Sequence, residues 1–233
     1  MKQPRTRQDV LDEINRTMRF YGLPEWQHVR RLGSRRKKDL EVVGISCVTH
    51  YIEKYLVVIV FNVVEPGKNE PFGYAVRFNT RPTLAAIVRV NGYYLFVEQS
   101  RFAIGQRVTE VLRGWVEPGL INAEPSEQVL GLIARKCSPA YANSLQRLQL
   151  NDLGYLYDDT STRGDKIQLY AVDAVSTVEP PNRCHIWKPK LFTWPELLEA
   201  EAANKLAIDL HSSAVLRRYS TSSTFRVLES APQ

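Results

Sequence analysis

Cysteine is scarce in this chain: Cys47, Cys137 and Cys184 are the only three among 233 residues, and they lie far apart. An odd count at that spacing excludes a disulfide framework and every paired-cysteine zinc pattern. The four histidines, His28, His50, His185 and His211, show no metal-ligand spacing and form no recognisable triad with a serine or cysteine. A glycine-rich phosphate loop and a dinucleotide fingerprint are both missing. Long apolar runs are missing too. The longest, YLVVIVFNVV over residues 55–64, falls well short of the ~20 residues a membrane helix needs, and its β-branched residues suit a buried strand. The opening MKQPRTRQDV carries Lys2, Arg5 and Arg7 with no apolar segment behind them, so no secretory leader is expected. The expected compartment is the cytoplasm, whose reducing chemistry suits unpaired thiols.

What is present is ordinary globular material. Hydrophobic residues make up 44% of the chain and charged residues 24%. That balance excludes wholesale disorder and leaves room for one generous α/β domain, with or without extensions. The net charge of +6 has one dense source: Arg30, Arg31, Arg35, Arg36, Lys37 and Lys38 fall within HVRRLGSRRKKD. Such a block displaces counterions from an anionic polymer, so a nucleic-acid contact is one reading. A solvated linker, broken by Gly33 and Ser34, is the other.

Residues 7–20 put Val10, Leu11, Ile14 and Met18 on one helical stripe, with Thr6 or Asp9 to cap its start and Gly22-Leu23-Pro24 to end it. Residues 41–50 and 54–64 are rich in Val and Ile and predict strands, followed by a loop at Pro66-Gly67 and Asn69. The sharpest local signal spans 84–99, where LAAIVRV and YYLFVEQ flank Asn91-Gly92. Asn-Gly supplies the two positive φ angles of a type I′ hairpin turn. TEVLR at 109–113 predicts a short strand. Residues 126–137 predict a helix with Val129, Leu130, Ile133, Ala134 and Cys137 on its apolar face, stopped by Pro139. The Cys137 thiol then reads as buried and inert. Strands at 145–157 and 166–175 flank the polar turn DDTSTRG, and helices at 194–204 and 208–219 precede a loose tail.

Residues 93–119, YYLFVEQSRFAIGQRVTEVLRGWVEPG, resemble the Nudix hydrolases, in particular the ADP-ribose pyrophosphatase branch. Glu98, Gln99 and Arg101 match that branch's Glu-Gln-x-Arg at a strand end. Residues 110–114 match its Glu-x-Pro-x-Gly, with Leu112 in place of proline. Downstream, LGYLYDDTSTRGDKIQLYAVDA is similar to the family's strand, variable loop and returning strand, and WPELLEA and AIDLHSSAVLRRY look like its final helix pair. The resemblance covers about residues 84–218. It implies an α/β (α+β) fold: a Nudix-type α/β/α sandwich with a mixed sheet and an N-terminal helix and strand extension. The implied organisation is a helix and basic linker at 1–40, strands at 41–83 that pair two subunits into a homodimer, a Nudix-like domain at 84–220 and a flexible tail at 221–233.

The family's defining helix carries Arg-Glu-x-x-Glu-Glu, whose glutamates hold the magnesium ions that activate water. The matching helix here keeps Arg135 at the arginine position, but Lys136, Pro139 and Ala140 stand at the glutamate positions. Magnesium takes oxygen ligands, and an ammonium, a proline ring and a methyl group offer none. The resemblance therefore implies no metal and no other cofactor in this chain, and no hydrolysis by the family's route. Relocated acids are the alternative: Glu110, Glu117, Glu124 and Glu127 surround the altered helix, and Asp158, Asp159 and Asp165 lie in the variable loop. Glu124 and Glu127 have i, i+3 spacing, yet acids at a helix start are favoured by its dipole without any function.

The ligand-binding set the resemblance implies is Arg101, Gln99, Glu98, Trp115, Arg135 and Lys136. The family motif aims Arg101 at the ligand, and a guanidinium grips phosphate bidentately; an ion pair with Glu98 or Glu110 is the alternative. Lys136 either puts a fixed positive charge where a metal ligand would stand or is a surface lysine favoured at a helix C-terminus. Trp115 either stacks on a base or sugar or belongs to the core. Arg135 braces the motif in the family. These residues point to a non-catalytic pseudoenzyme that binds a nucleotide diphosphate such as ADP-ribose or a nucleotide sugar, or that serves as a regulatory module for a protein partner. The alternatives are a hydrolase of nucleoside-diphosphate compounds with relocated carboxylates, and a nucleic-acid-associated protein using the basic 30–38 linker.

Overall fold

A computed structural model describes residues 6–29, 31–32, 40–51, 56–65, 67–101, 105–157, 166–202, 210–223 and 225. For Arg31, Leu32, His50, Tyr51, Arg101, Glu201, Leu210 and His211 the backbone alone is described. Arg30, Arg35, Arg36, Lys37, Lys38, Asp158, Asp159 and Asp165 lie outside the described residues, as do the DDTSTRG turn and most of the tail. The chain divides into two compact units: Met1–Thr80 with Tyr157–Asp165, and Arg81–Leu156 with Lys166–Gln233.

The first unit is one helix on an antiparallel meander. Thr6 and Asp9 act together to start α1 (Arg7–Phe20): the Asp9 amide donates to Thr6 Oγ1, and the Thr6 amide donates to Asp9 Oδ2. This reciprocal box satisfies two otherwise orphaned amides. Val10, Ile14 and Met18, one turn apart, bury against the sheet β1 (Arg31–Leu32), β2 (Leu40–Tyr51), β3 (Leu56–Val64) and β4 (Phe72–Asn79), which pair in that order. Along β3 every second side chain, Val57, Ile59, Phe61 and Val63, is fully buried, and Trp26 stacks on Phe61 at 5.3 Å. Each such burial stabilises by roughly 1.5–3 kcal/mol. The Arg7–Glu41 pair, 74% and 45% exposed, contributes under about 1 kcal/mol. Strand β4 was not anticipated from the sequence. Its Tyr74, Val76 and Phe78 pack against the same core, an alternation hidden by Gly73 and the turn residues before it.

The second unit is built on the hairpin of β5 (Thr83–Val90) and β6 (Tyr93–Arg101), joined by Asn91 at φ 52° and Gly92 at φ 85°. Strands β7 (Gln106–Glu110), β8 (Leu112–Trp115), β9 (Gln146–Tyr157), β10 (Lys166–Val175) and β11 (Lys188–Phe192) complete a seven-stranded sheet with the spine β11-β6-β5-β10-β9. The sheet is mixed, since β10 runs parallel to β5 and β6 runs antiparallel to it. It also forks. Only three residue pairs join β5 to β6, after which β8 takes over the side of β5 and β7 pairs with the far half of β6. The single strand expected at 109–113 is thus two strands, with Val111 between them.

The period of two sorts the core into two layers. Leu84, Ala86, Val88, Leu95, Val97 and Tyr170 face α2 (Pro125–Lys136) and α3 (Pro139–Ser144); Ala85, Ile87, Tyr94, Phe96 and Leu169 face α4 (Trp194–Ala202) and α5 (Leu210–Ser220). The unit is an α/β/α sandwich. Pro139 does more than stop a helix: α2 ends at Lys136, Ser138 caps the next helix by accepting from the Tyr141 amide, and Pro139 opens α3. Proline suits that first position because its missing N–H would be unpaired there anyway.

Candidate functional site

Strand β6 presents Glu98 and Gln99 to opposite sides of the sheet. Gln99 is buried, and its amide is held at both ends: Nε2 donates to Glu110 Oε1 at 2.7 Å, and Oε1 accepts from the Trp187 indole N–H at 2.7 Å. Glu110, 1% exposed, also accepts from Arg113 Nε at 3.0 Å. On the other flank of Trp187 the Lys136 ammonium sits 4.1 Å from the ring centroid. Lys136 is only 7% exposed, so it is not the surface lysine that a helix end allows. A cation over an indole face gains most when both are desolvated. Residues of α2, β6, β7, β8 and the stretch before β11 thus share one network.

Arg135 ties α2 to the end of β8. Its Nη1 donates to Glu117 Oε1 at 2.6 Å and its Nη2 donates to the Trp115 carbonyl at 2.9 Å. A Cβ on Gly114 would collide with this guanidinium, so glycine at this position permits the close approach. Trp115 is half-buried and pairs with Thr83 across β8 and β5. Cys137 is fully buried, and burial, aided by neighbouring Cys184, pushes its thiol up to about 12.

Glu98 faces a different environment. Its carboxylate is 15% exposed and meets Lys190 at 2.6 Å, Arg107 at 3.4 Å and Lys188 at 4.0 Å. The Lys190 hydrogen bond is the main cause that holds its pKa below the usual carboxylate range. Beside it opens a cleft of about 190 Å³, lined among the described residues by Glu98, Gln99, Ser100, Arg107, Arg183, Ile186 and Lys188. The cleft therefore gathers two of the six expected ligand residues. Arg135, Lys136 and Trp115 lie elsewhere in the unit, and the Arg101 side chain is outside the described residues. Arg107, Arg183, Trp187 and Lys188 were not singled out from the sequence. The alternating lysines of WKPKLF were the one available signal.

The described side chains around Lys136 do not suit a divalent ion. Lys136 brings a positive charge beside Trp187, and the described carboxylates nearby are spoken for or dispersed. Glu110 and Glu117 are held by arginines, while Glu124 and Glu127 are exposed at the start of α2. Among the described residues no three acidic, histidine or cysteine side chains gather as a metal-holding group.

No protein-family model matches the chain, and no curated protein matches it. Its fold is similar to the crystal structure of an ADP compounds hydrolase, with a TM-score of 0.60 over 84% of this chain and 97% of that one, at 9% sequence identity. At that identity the likeness concerns the fold alone. It agrees with the α/β/α arrangement expected from the sequence. No helix among the described residues is long and apolar enough to cross a membrane.

Proposed function

We propose that this chain is a non-catalytic Nudix-like protein that binds a nucleotide diphosphate of the ADP-ribose or nucleotide-sugar class. The observation that carries the reading is Lys136, buried against Trp187 at a position where the family's chemistry needs a carboxylate. An ammonium there repels a divalent cation and favours an anion, which inverts the electrostatics of a hydrolytic site. The cation-lined cleft beside Gln99 supports the same reading. The likeness to an ADP compounds hydrolase supports the ligand class by analogy of fold. We further propose that residues 41–83 pair two subunits and that the protein works in the cytoplasm.

Calorimetry with ADP-ribose, in the presence and absence of Mg²⁺, tests the proposal. Binding without metal and no turnover with Mg²⁺ or Mn²⁺ is the expected result. Metal-dependent hydrolysis by the wild type, lost in Glu110→Gln or Glu124→Gln, overturns it in favour of relocated carboxylates.

A further inference from the structure

The geometry points to a three-cation clamp for a phosphate or diphosphate group, formed by Arg107, Arg183 and Lys188 around the cleft at the end of β6. It deepens the proposed nucleotide-diphosphate reading, and rests on it, by locating the anionic part of the ligand.

The clamp is held by strand pairing. Arg107 on β7 stands opposite Ser100, and Lys188 on β11 stands opposite Glu98, so the two cations flank β6 from both sides. Strand β11 begins opposite Glu98. Beyond that point, among the described residues, no strand covers this edge of β6, and the cleft opens there. Just before β11, Cys184 and Trp187 exchange two backbone hydrogen bonds of 2.9 Å, and His185 takes a φ of 52°. This tight turn aims Trp187 inward at Gln99 and leaves Ile186, 67% exposed, on the cleft wall. Arg183 is tethered to the turn, its Nε donating to the His185 carbonyl at 3.0 Å.

Charge decides what the cleft takes. Three cations, Arg107, Arg183 and Lys188, line it with one carboxylate, Glu98, which also meets Lys190. Lys190 at 2.6 Å already neutralises that carboxylate. Arg107 at 3.4 Å and Lys188 at 4.0 Å make only loose contacts with Glu98. Among the described residues Arg183 pairs with no carboxylate. An incoming phosphate therefore gains three donors without breaking a tight pair, and guanidiniums favour its planar, bidentate recognition. Size narrows the class further. A cleft of about 190 Å³ is below the ~300–1,000 Å³ of sites that swallow a whole small molecule. It fits the diphosphate, with the rest of the ligand lying outward across Ile186. Because the cations are partly exposed, binding weakens as salt rises.

The test is a titration of the full chain, without metal, using inorganic pyrophosphate and ADP-ribose. It compares wild type, Arg107→Ala, Arg183→Ala, Lys188→Ala and Arg101→Ala by calorimetry and tryptophan fluorescence. Trp187→Phe identifies the Trp187 signal, which responds because Gln99 links that indole to the cleft. Loss of one charge-assisted contact weakens binding about ten-fold or more, so both anions should weaken that much in Arg183→Ala and Arg107→Ala. Unchanged melting temperatures show that these exposed substitutions leave the fold intact. ADP-ribose binding that is equal in wild type, Arg107→Ala and Arg183→Ala overturns the clamp but leaves the nucleotide-diphosphate reading standing. Clamp-dependent binding of pyrophosphate with no binding of ADP-ribose upholds the clamp and overturns that reading. Binding of neither anion, or of single-stranded nucleic acid alone, overturns the clamp.

Discussion

Replacing Glu110 by glutamine tests whether this carboxylate belongs to the architecture or to chemistry. Its two oxygens accept from Gln99 Nε2 at 2.7 Å and Arg113 Nε at 3.0 Å, with the carboxylate 1% exposed. A glutamine offers one acceptor, so its own amide group must face either Gln99 Nε2 or Arg113, donor against donor. Breaking a buried ion pair from one side costs about 3–5 kcal/mol. Arg113 is 21% exposed and recovers part of its hydration, so the expected loss is about 3 kcal/mol. For a unit of about 150 residues this lowers the melting temperature by roughly 6–12 °C. Differential scanning calorimetry measures it, with Glu124→Gln, an exposed acid, as a control expected within about 0.5 kcal/mol of wild type. Pairing Glu110→Gln with Arg113→Met in a double-mutant cycle isolates the coupling. A Glu110→Gln protein that melts like wild type refutes the structural assignment of this residue.

Gly114→Ala should destabilise by about 1–2 kcal/mol through displacement of the Arg135 guanidinium, and the cost should largely vanish in an Arg135→Ala background. At pH 8, alkylation followed by mass spectrometry should label exposed Cys47 in the native protein and Cys137 only after unfolding. Because folding holds the Cys137 thiol protonated, its stabilising contribution is complete below about 9 and is lost as pH rises toward about 12. Melting curves across that range should fall less steeply for Cys137→Ala than for wild type. Light scattering at micromolar concentration should give a dimer mass, which a substitution of Val58 by lysine on β3 would lower; a monomeric wild type removes the proposed role of residues 41–83.

The local signals were legible because they are local. Asn91-Gly92 dictates its turn wherever it stands, and the Thr6–Asp9 box fixes the start of α1 with four residues. Its Val and Ile content marks β3, and the Asn91-Gly92 turn itself marks β5 and β6 on either side. Strand β11 is not legible in KPKLF, because Pro189 suits a sheet edge and little else within a sheet. The Gln99 network was illegible for another reason. Trp187 lies 88 positions from its partner Gln99, and no short window contains both. The residues of α2 are readable one by one, yet the burial of Lys136 depends on that same distant indole.

The parallel pairing of β5 with β10 sets a timetable for synthesis. The two strands run in register from Thr83 opposite Ile167 to Val90 opposite Ala174, and the Arg89–Asp173 contact across them spans 84 positions. The β5–β6 hairpin needs only its own turn and forms early, but β5, with Leu84 through Val88 buried on both faces, waits for a partner far downstream. Closing so long a loop is entropically slow. On the ribosome, at about 5–20 residues per second, that strand stays unpaired on one edge for several seconds after it emerges. Chaperone demand during expression should therefore concentrate on nascent chains that have made β5 and not yet β10.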